Sequence, residues 1–277
     1  QLRQNILQDA IEGKLTAEWR KTHPVIKGNP DFDAEALFEE IAAGKASSPS
    51  FAKSKTSKQL PPISDDEKTF EIPNGWKWVR LGEITNIIGG YAFNSYDLKD
   101  TGDNYVLRLG NIRNETLRYE AKPAFVSNDI VENLKDYKTY ENDILISMTG
   151  TRGKHDYLYV VKISPEHLLK FSMYVNQRVG IVRGYKCCEY IYKLLISDMI
   201  KEPIFNLATG SANQANIGIK DLSDLLLPFA PYGEQKMICK RIDDMFLKIN
   251  NLEYQISQRE EYANQLMQSI LKDAFEK

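Results

Sequence analysis

The stretch EQKMICKRIDDMFLKINNLEYQISQREEYANQLMQSILKDAFEK (residues 234–277) contains neither Gly nor Pro and carries a regular apolar pattern. Ile238, Ile242, Met245, Ile249, Leu252, Ile256, Ala263, Leu266 and Ile270 recur at alternating spacings of four and three, a heptad seam interrupted once, at Arg259. The spacing predicts one long helix. At 1.5 Å per residue it would span roughly 66 Å, far beyond an ordinary globular helix, so the seam needs a partner of similar length. Part of that partner is legible at the other end of the chain. Gln1, Leu2, Gln4, Ile6, Leu7, Asp9, Ala10 and Glu12 match Gln265, Leu266, Gln268, Ile270, Leu271, Asp273, Ala274 and Glu276 at a constant offset of 264. An offset that keeps polar as well as apolar residues in register predicts one unit of a larger two-unit protein, cut so that the tail of the preceding unit leads this one.

Upstream of the long helix the pattern is globular. Gln1 to about Arg20 reads as a helix with Gly13 near its end, and Asp33 to Ala43 as a second, short helix capped by Asp33. Gly44 to Lys68 is rich in Ser and Lys, the composition of a solvated linker. Order resumes at Ile72, where Pro73, Asn74 and Gly75 form a turn and Trp76, Trp78 and Val79 anchor a new domain. Tyr105 to Leu109, Asp143 to Met148, Tyr157 to Ile163 and Gln177 to Arg183 are β-prone runs, and Tyr190 to Ile200 is helical. The fold class expected is therefore α+β: residues 1–43 as an N-terminal helical segment, 44–71 as a linker, 72–231 as a β-rich domain and 232–277 as a long coiled-coil-forming helix.

Composition is that of a soluble protein: 42% hydrophobic, 27% charged, with no apolar run of membrane-spanning length, so a cytoplasmic location and no membrane partner are expected. Three Cys and three His are scattered without the spaced pairs of a zinc site, and neither a metal nor a cofactor is expected. The net charge of −2 hides a local excess: Lys138 to Lys186 holds eight Lys or Arg against four acids. Within it lies Thr149-Gly-Thr-Arg-Gly-Lys154. The loop lacks the glycine spacing and Gly-Lys-Ser/Thr of a Walker motif, and its amides, hydroxyls and cations suit a DNA phosphate or base edge better than a nucleotide. Gly89 and Gly90 open another loop through Tyr91 to Asn94, explained equally by a tight hairpin or by a close backbone approach. A third polar loop runs from Thr209 to Asn216.

Catalysis finds little support. Asn29-Pro30-Asp31-Phe32 is the nearest match to an adenine-methyltransferase motif, but it lacks the second Pro. Asp31, Glu39 and Glu40 sit on or beside a helix and read as a solvated face rather than a nuclease centre. A non-catalytic coiled-coil assembly module whose central domain binds protein is the alternative from another class.

The order of helix tail, linker, Pro-Asn-Gly-Trp entry (within Ile72 to Ile84), Asp143 to Met148, and Gln214 through Ile242 resembles the DNA specificity subunit of type I restriction-modification systems. Pro231-Tyr-Gly-Glu-Gln235 is similar to that family's Pro-Leu-x-Glu-Gln junction, and Ile6 to Lys14 looks like the end of its central conserved helix. Family members typically carry two target recognition domains joined by antiparallel helices, each domain reading one half of a split site. The resemblance implies a non-catalytic subunit that directs methyltransferase and restriction subunits to double-stranded DNA. This sequence has one such domain, so it is either the second half of a full subunit or a half-subunit that pairs with a copy of itself. Under this reading the DNA-binding candidates are Tyr91, Asn94, Arg113, Thr149, Thr151, Arg152, Lys154, Ser211, Asn213 and Gln214. Arg152 and Lys154 can neutralise phosphates or fork to guanine, and Asn94, Asn213 and Gln214 can make paired bonds to adenine. Ile238, Ile242, Met245, Ile249, Leu252, Ile256, Leu266 and Ile270 are the expected oligomer or subunit interface.

Overall fold

A computed structural model of the chain describes residues 1–47, 60–151, 153–207 and 215–275. The chain opens with helices α1 (Leu2–Ile11), α2 (Ala17–Thr22) and α3 (Ala34–Ser47). The β-rich part then runs β1 (Lys77–Arg80), α4 (Leu81–Ile84), β2 (Thr85–Gly89), β3 (Asn104–Leu107), β4 (Ile112–Arg113), β5 (Thr116–Leu117), β6 (Phe125–Val126), α5 (Asn128–Val131), β7 (Ile144–Ser147) and β8 (Thr149–Gly150). It continues through β9 (Val160–Lys162), α6 (Pro165–Leu168), β10 (Ser172–Val175), β11 (Val179–Gly184), α7 (Cys188–Leu195), α8 (Asp198–Leu207), β12 (Ala215–Asn216), α9 (Ile219–Ser223) and β13 (Leu226–Phe229). The long helix α10 spans Tyr232–Phe275, 44 residues.

Two sheets stack at the centre. One is four-stranded, in the order β2-β11-β7-β9, antiparallel throughout; the other is three-stranded, β10-β3-β6, with β10 parallel to β3. Tyr105, Leu107, Met173 and Val175 of the second sheet share a core with Leu145, Val161, Val179 and Ile181 of the first. Ile144, Ile146, Val160 and Val182 face the other way, into a core that also holds Leu7, Ala10 and Ile11 of α1, Leu37 and Ile41 of α3, and Ile238 and Ile242 of α10. The four-stranded sheet is thus covered on both faces, which is why its strands read as unbroken apolar runs rather than alternating ones. The N-terminal helices and the base of the long helix belong to the same core as the β-rich part.

Helix boundaries depart from the sequence expectations in three places, each with a local cause. Gly13 adopts φ +74° and breaks the first helix, after which a 3-10 turn at Lys14–Thr16 re-aims the chain into α2. Gly44 does not end α3, which runs on to Ser47; the face without a Cβ lies directly against the Tyr185 ring. The helix expected over Tyr190 to Ile200 is two helices, α7 and α8. The described end of the expected linker is strapped down: Arg80 donates to the carbonyls of Pro61 and Pro62 and forks to Glu67.

The start of α10 is built from residues that the sequence left unexplained. Its first N–H groups, which have no partner inside the helix, donate to Pro30 and Asp31 carbonyls (Tyr232 N at 2.9 Å, Gly233 N at 3.2 Å). Asn29 shapes that turn by accepting from Asp31 N through its side chain and from Phe32 N and Asp33 N through its carbonyl. The Asn29-Pro-Asp-Phe32 tetrapeptide is therefore a helix-seating turn. Next to it, the Glu234 carboxylate, 1% exposed, accepts from Thr16 Oγ1 (2.5 Å), Arg20 Nη1 and Trp76 Nε1 (2.8 Å). One carboxylate joins the long helix, the N-terminal helices and the entry to the sheets.

Beyond its base α10 changes character. Ile238, Ile242 and Ile249 are buried against their own chain, Met245 is half-buried, and Arg3 reaches across from α1 to Asn250 and Glu253. From there on the apolar side chains are bare: Leu252, Ile256, Leu266 and Ile270 are each more than half exposed. The seam divides into a lower part that closes this chain's core and an upper part that has no cover.

Candidate nucleic-acid interface

Registers in the four-stranded sheet fix which loops meet. Gly89 pairs with Gly180, Val179 with Ser147, and Ile146 with Val160, so the end of β2, the start of β11, the end of β7 and the start of β9 lie at one edge. Tyr91 emerges there, its N–H donating to Val175 O and its carbonyl accepting from Gln177 N. Gly90 is what permits this crossing, because a Cβ at residue 90 would fall on the Asn176 carbonyl oxygen. The close-approach reading of the glycine pair therefore holds, and no hairpin forms.

Thr149 and Gly150 continue from β7 as β8 and pair with Asn216 and Ala215 of β12. This places the Thr149–Lys154 loop beside Ala215 and Asn216. A second clasp comes from α8: Phe205 stacks face to face on His155, with centroids 4.1 Å apart, and meets Tyr157 edge-on at 5.0 Å. Arg113 lies at the same edge, its guanidinium 5.5 Å from the Tyr159 ring centroid and donating to the Ile112 carbonyl. The turn after its strand is tied to β9 by Glu115 N to Val160 O.

Tyr91, Arg113, Thr149, Thr151 and Lys154 are thus gathered at one end of the four-stranded sheet. Asn94 is on the way out: its side chain caps the turn at Ser95–Asp97, and the chain continues to Lys99, which bridges Phe125 on the outer strand of the other sheet. Arg152, Ser211, Asn213 and Gln214 lie outside the described residues.

Hydrogen bonding sorts the gathered residues. Thr149 Oγ1 bonds the Asn216 side chain at 3.2 Å, and Thr151 gives both its N–H (2.5 Å) and its hydroxyl (2.9 Å) to Asp156. Both hydroxyls are engaged in shaping the loop, whereas Lys154 is exposed at its tip. Asp156, Asn216 and Phe205, which the sequence did not single out, are the residues that hold it. A polar residue five positions after Thr151 was the available signal for Asp156; nothing local pointed to Asn216 or Phe205.

The bond from the Thr151 amide holds the Asp156 carboxyl below its usual range. Because the folded-state pKa is the lower one, the loop's stabilisation is complete at neutral pH and fades as pH falls through and below about 4. The Thr151 amide is expected to lose hydrogen-exchange protection over that window in the natural protein, and to be unprotected at all pH values in Asp156→Ala. A Thr151 amide that exchanges alike in both proteins at neutral pH would show that Asp156 does not shape the loop.

Among the described residues no group of His, Cys, Asp or Glu is arranged to hold a metal ion, and no helix is long and apolar enough to cross a membrane. The model of the type I restriction modification DNA specificity domain matches residues 73–260, from the entry turn through both sheets and into α10. The chain belongs to this specificity-domain family. The chain is 32% identical over 256 residues to the type I restriction enzyme EcoAI specificity subunit of Escherichia coli, covering 91% of this chain and 41% of the relative. The EcoEI specificity subunit of the same species is 26% identical over 251 residues, covering 88% and 40%. This specificity domain and its flanking helices therefore span less than half the length of these two curated relatives. The HsdS subunit from Thermoanaerobacter tengcongensis shares the fold, with a TM-score of 0.51 at 19% identity over 97% of this chain and 58% of that one. A chain from a type I R-M system studied for complex assembly and conformational transition superposes with a TM-score of 0.56, covering 95% and 57%.

Proposed function

We propose that this chain reads one half of a split duplex-DNA site as a specificity subunit, without catalysing a reaction itself, and directs methyltransferase and restriction subunits to that site in the cytoplasm. Membership of the specificity-domain family, matched through both sheets and into the long helix as far as residue 260, carries this reading. The loops at Tyr91, Arg113 and Thr149 to Lys154 form its DNA-facing edge; Arg152, Ser211, Asn213 and Gln214, outside the described residues, stay DNA-binding candidates on their chemistry alone. Lys154 serves phosphate, while Thr149 and Thr151 hold the backbone that presents it.

The second half-site needs a second recognition unit, and the repeated motif supports one. In the N-terminal copy Leu7, Ala10 and Ile11 are buried in the core at the base of α10. At an offset of 264 their counterparts are Leu271, Ala274 and Phe275, all exposed at the far end of the same helix. The docked copy indicates what the bare copy fits: the equivalent groove at the base of another such unit, whether in a longer chain or in a second copy of this one.

DNA binding separates this reading from a protein-binding assembly module. The protein, purified with the subunits that co-assemble with it, should bind duplex DNA with a steep salt dependence, each phosphate contact adding about 0.9 to the log–log slope. Lys154→Ala should lower that slope by roughly one and weaken all sequences alike. Absence of any salt-dependent binding to a random duplex pool would reject the proposal.

A further inference from the structure

Between the Tyr91 crossing and the Thr149–Lys154 loop lies the turn that joins the two sheets. Val179 N donates to Asn176 O at 2.8 Å, which closes a β-turn with Gln177 and Arg178 at its two central positions. The turn is held on both flanks by main chain alone. Gln177 N donates to Tyr91 O (3.0 Å), Gly90 N to Val179 O (3.0 Å), and Met148 N to Arg178 O (3.0 Å), while Asn176 N is tied to Leu107 O (2.8 Å). Every neighbouring strand end contributes a bond, so the turn sits at the centre of the edge on which the candidate residues gather.

Its two side chains are the reverse of its backbone. Gln177 and Arg178 are exposed, and neither makes a side-chain hydrogen bond or ion pair to a described residue. This contrasts with Thr149, which is bonded to Asn216, Thr151, which is bonded to Asp156, and Arg113, which is engaged with a carbonyl and a ring. An amide and a guanidinium, side by side and uncommitted on a fixed turn, form the pair of groups that read adenine and guanine edges bidentately.

We infer that Gln177 and Arg178 are base-contacting, specificity-determining residues, with the Asn176–Val179 turn entering the groove between the flanking loops. This rests on the DNA-reading function proposed above and names its central readers. The Thr149–Lys154 loop then supplies phosphate positioning beside them, and Tyr91 supports the turn from the other side.

The test is base preference across a randomised-site library, measured with the full chain and its co-assembling subunits. Arg178→Ala is expected to relax discrimination at one position by about 5- to 150-fold while the other positions keep their preference. Gln177→Ala should relax a neighbouring position to a similar degree. Arg178→Lys keeps the charge but loses the fork, so its salt slope should stay near that of the natural protein while the same position relaxes. If Arg178→Ala weakens all sequences alike and lowers the salt slope by about one, the residue holds phosphate and the inference fails for it. If both Ala variants retain the full preference of the natural protein, the inference fails and the DNA-reading function stands. If the natural protein binds with no base preference at all, both fail. Thermal unfolding of the variants within a degree of the natural protein excludes misfolding as the cause of a relaxed position, since both side chains are exposed.

Discussion

Replacing Glu234 by Ala is expected to destabilise the protein by about 3–5 kcal/mol, the range for removing one partner of a buried ion pair. The carboxylate is almost wholly inaccessible, and its loss would leave the Trp76 indole N–H without its acceptor and the Arg20 guanidinium, still bonded to Gly13 O, without its counter-charge at the junction of three segments. Glu234→Gln should fall between the two, because an amide oxygen still accepts a hydrogen bond but carries no charge to match Arg20. At about 2–4 °C per kcal/mol for a chain of this size, the Ala variant should unfold roughly 6–20 °C below the natural protein. Equilibrium urea unfolding decides it: a midpoint unchanged in Glu234→Ala would mean that the three donors find water or other acceptors, and that the junction is held by its apolar core alone.

The second large effect concerns the upper seam. Leu252→Asp with Ile256→Asp should leave the fold intact, since both side chains are more than half exposed, yet weaken association through α10 by at least about 100-fold. Burying each such side chain contributes about 1.5–3 kcal/mol, and a charge placed in the same interface adds a desolvation cost. Ile242→Asp is the contrasting variant: that side chain is fully buried within its own chain, so the substitution should unfold the protein rather than release a partner. Analytical ultracentrifugation and titration with the co-assembling subunits read the outcome. If the double variant assembles as the natural protein does, the exposed apolar stripe is not the contact surface.

The seam also shows how far periodicity reaches. Its apolar spacing was enough to read α10 to within a residue of its start, because the stretch from Glu234 onward, without Gly or Pro, reports its face directly. The same spacing could not divide the seam at Ile249, since burial by one's own chain and burial by a partner leave one pattern. The strands were legible for a related reason: both faces of the four-stranded sheet are covered, so β7 and β11 appear as apolar runs bounded by polar residues. Gly44 was read as a helix end because its reason for being Gly, the Tyr185 ring, lies far away in sequence.

At the sheet edge where the candidate loops meet, the sequence was less informative about individual side chains. Thr149 and Thr151 offer hydroxyls in a cationic loop, and nothing local reveals that Asn216, 67 residues away, takes one and Asp156 the other. Gln177 and Arg178 were absorbed into the start of a strand, because a polar pair next to an apolar run can be either its first residues or the turn before it. Only the register of β11 against β2 and β7 separates the two, and register depends on partners distant in sequence.

The frame around the Asn176–Val179 turn consists of main-chain bonds, and main-chain bonds are indifferent to which side chain hangs from the residue. Residues 177 and 178 can therefore change identity without disturbing the sheets beneath them, provided Gly90 stays. Target preference and foldability are uncoupled at this turn. A lineage under pressure to recognise new sequences could explore substitutions there one at a time, each intermediate remaining a folded protein, and an engineer could retarget the molecule by the same route.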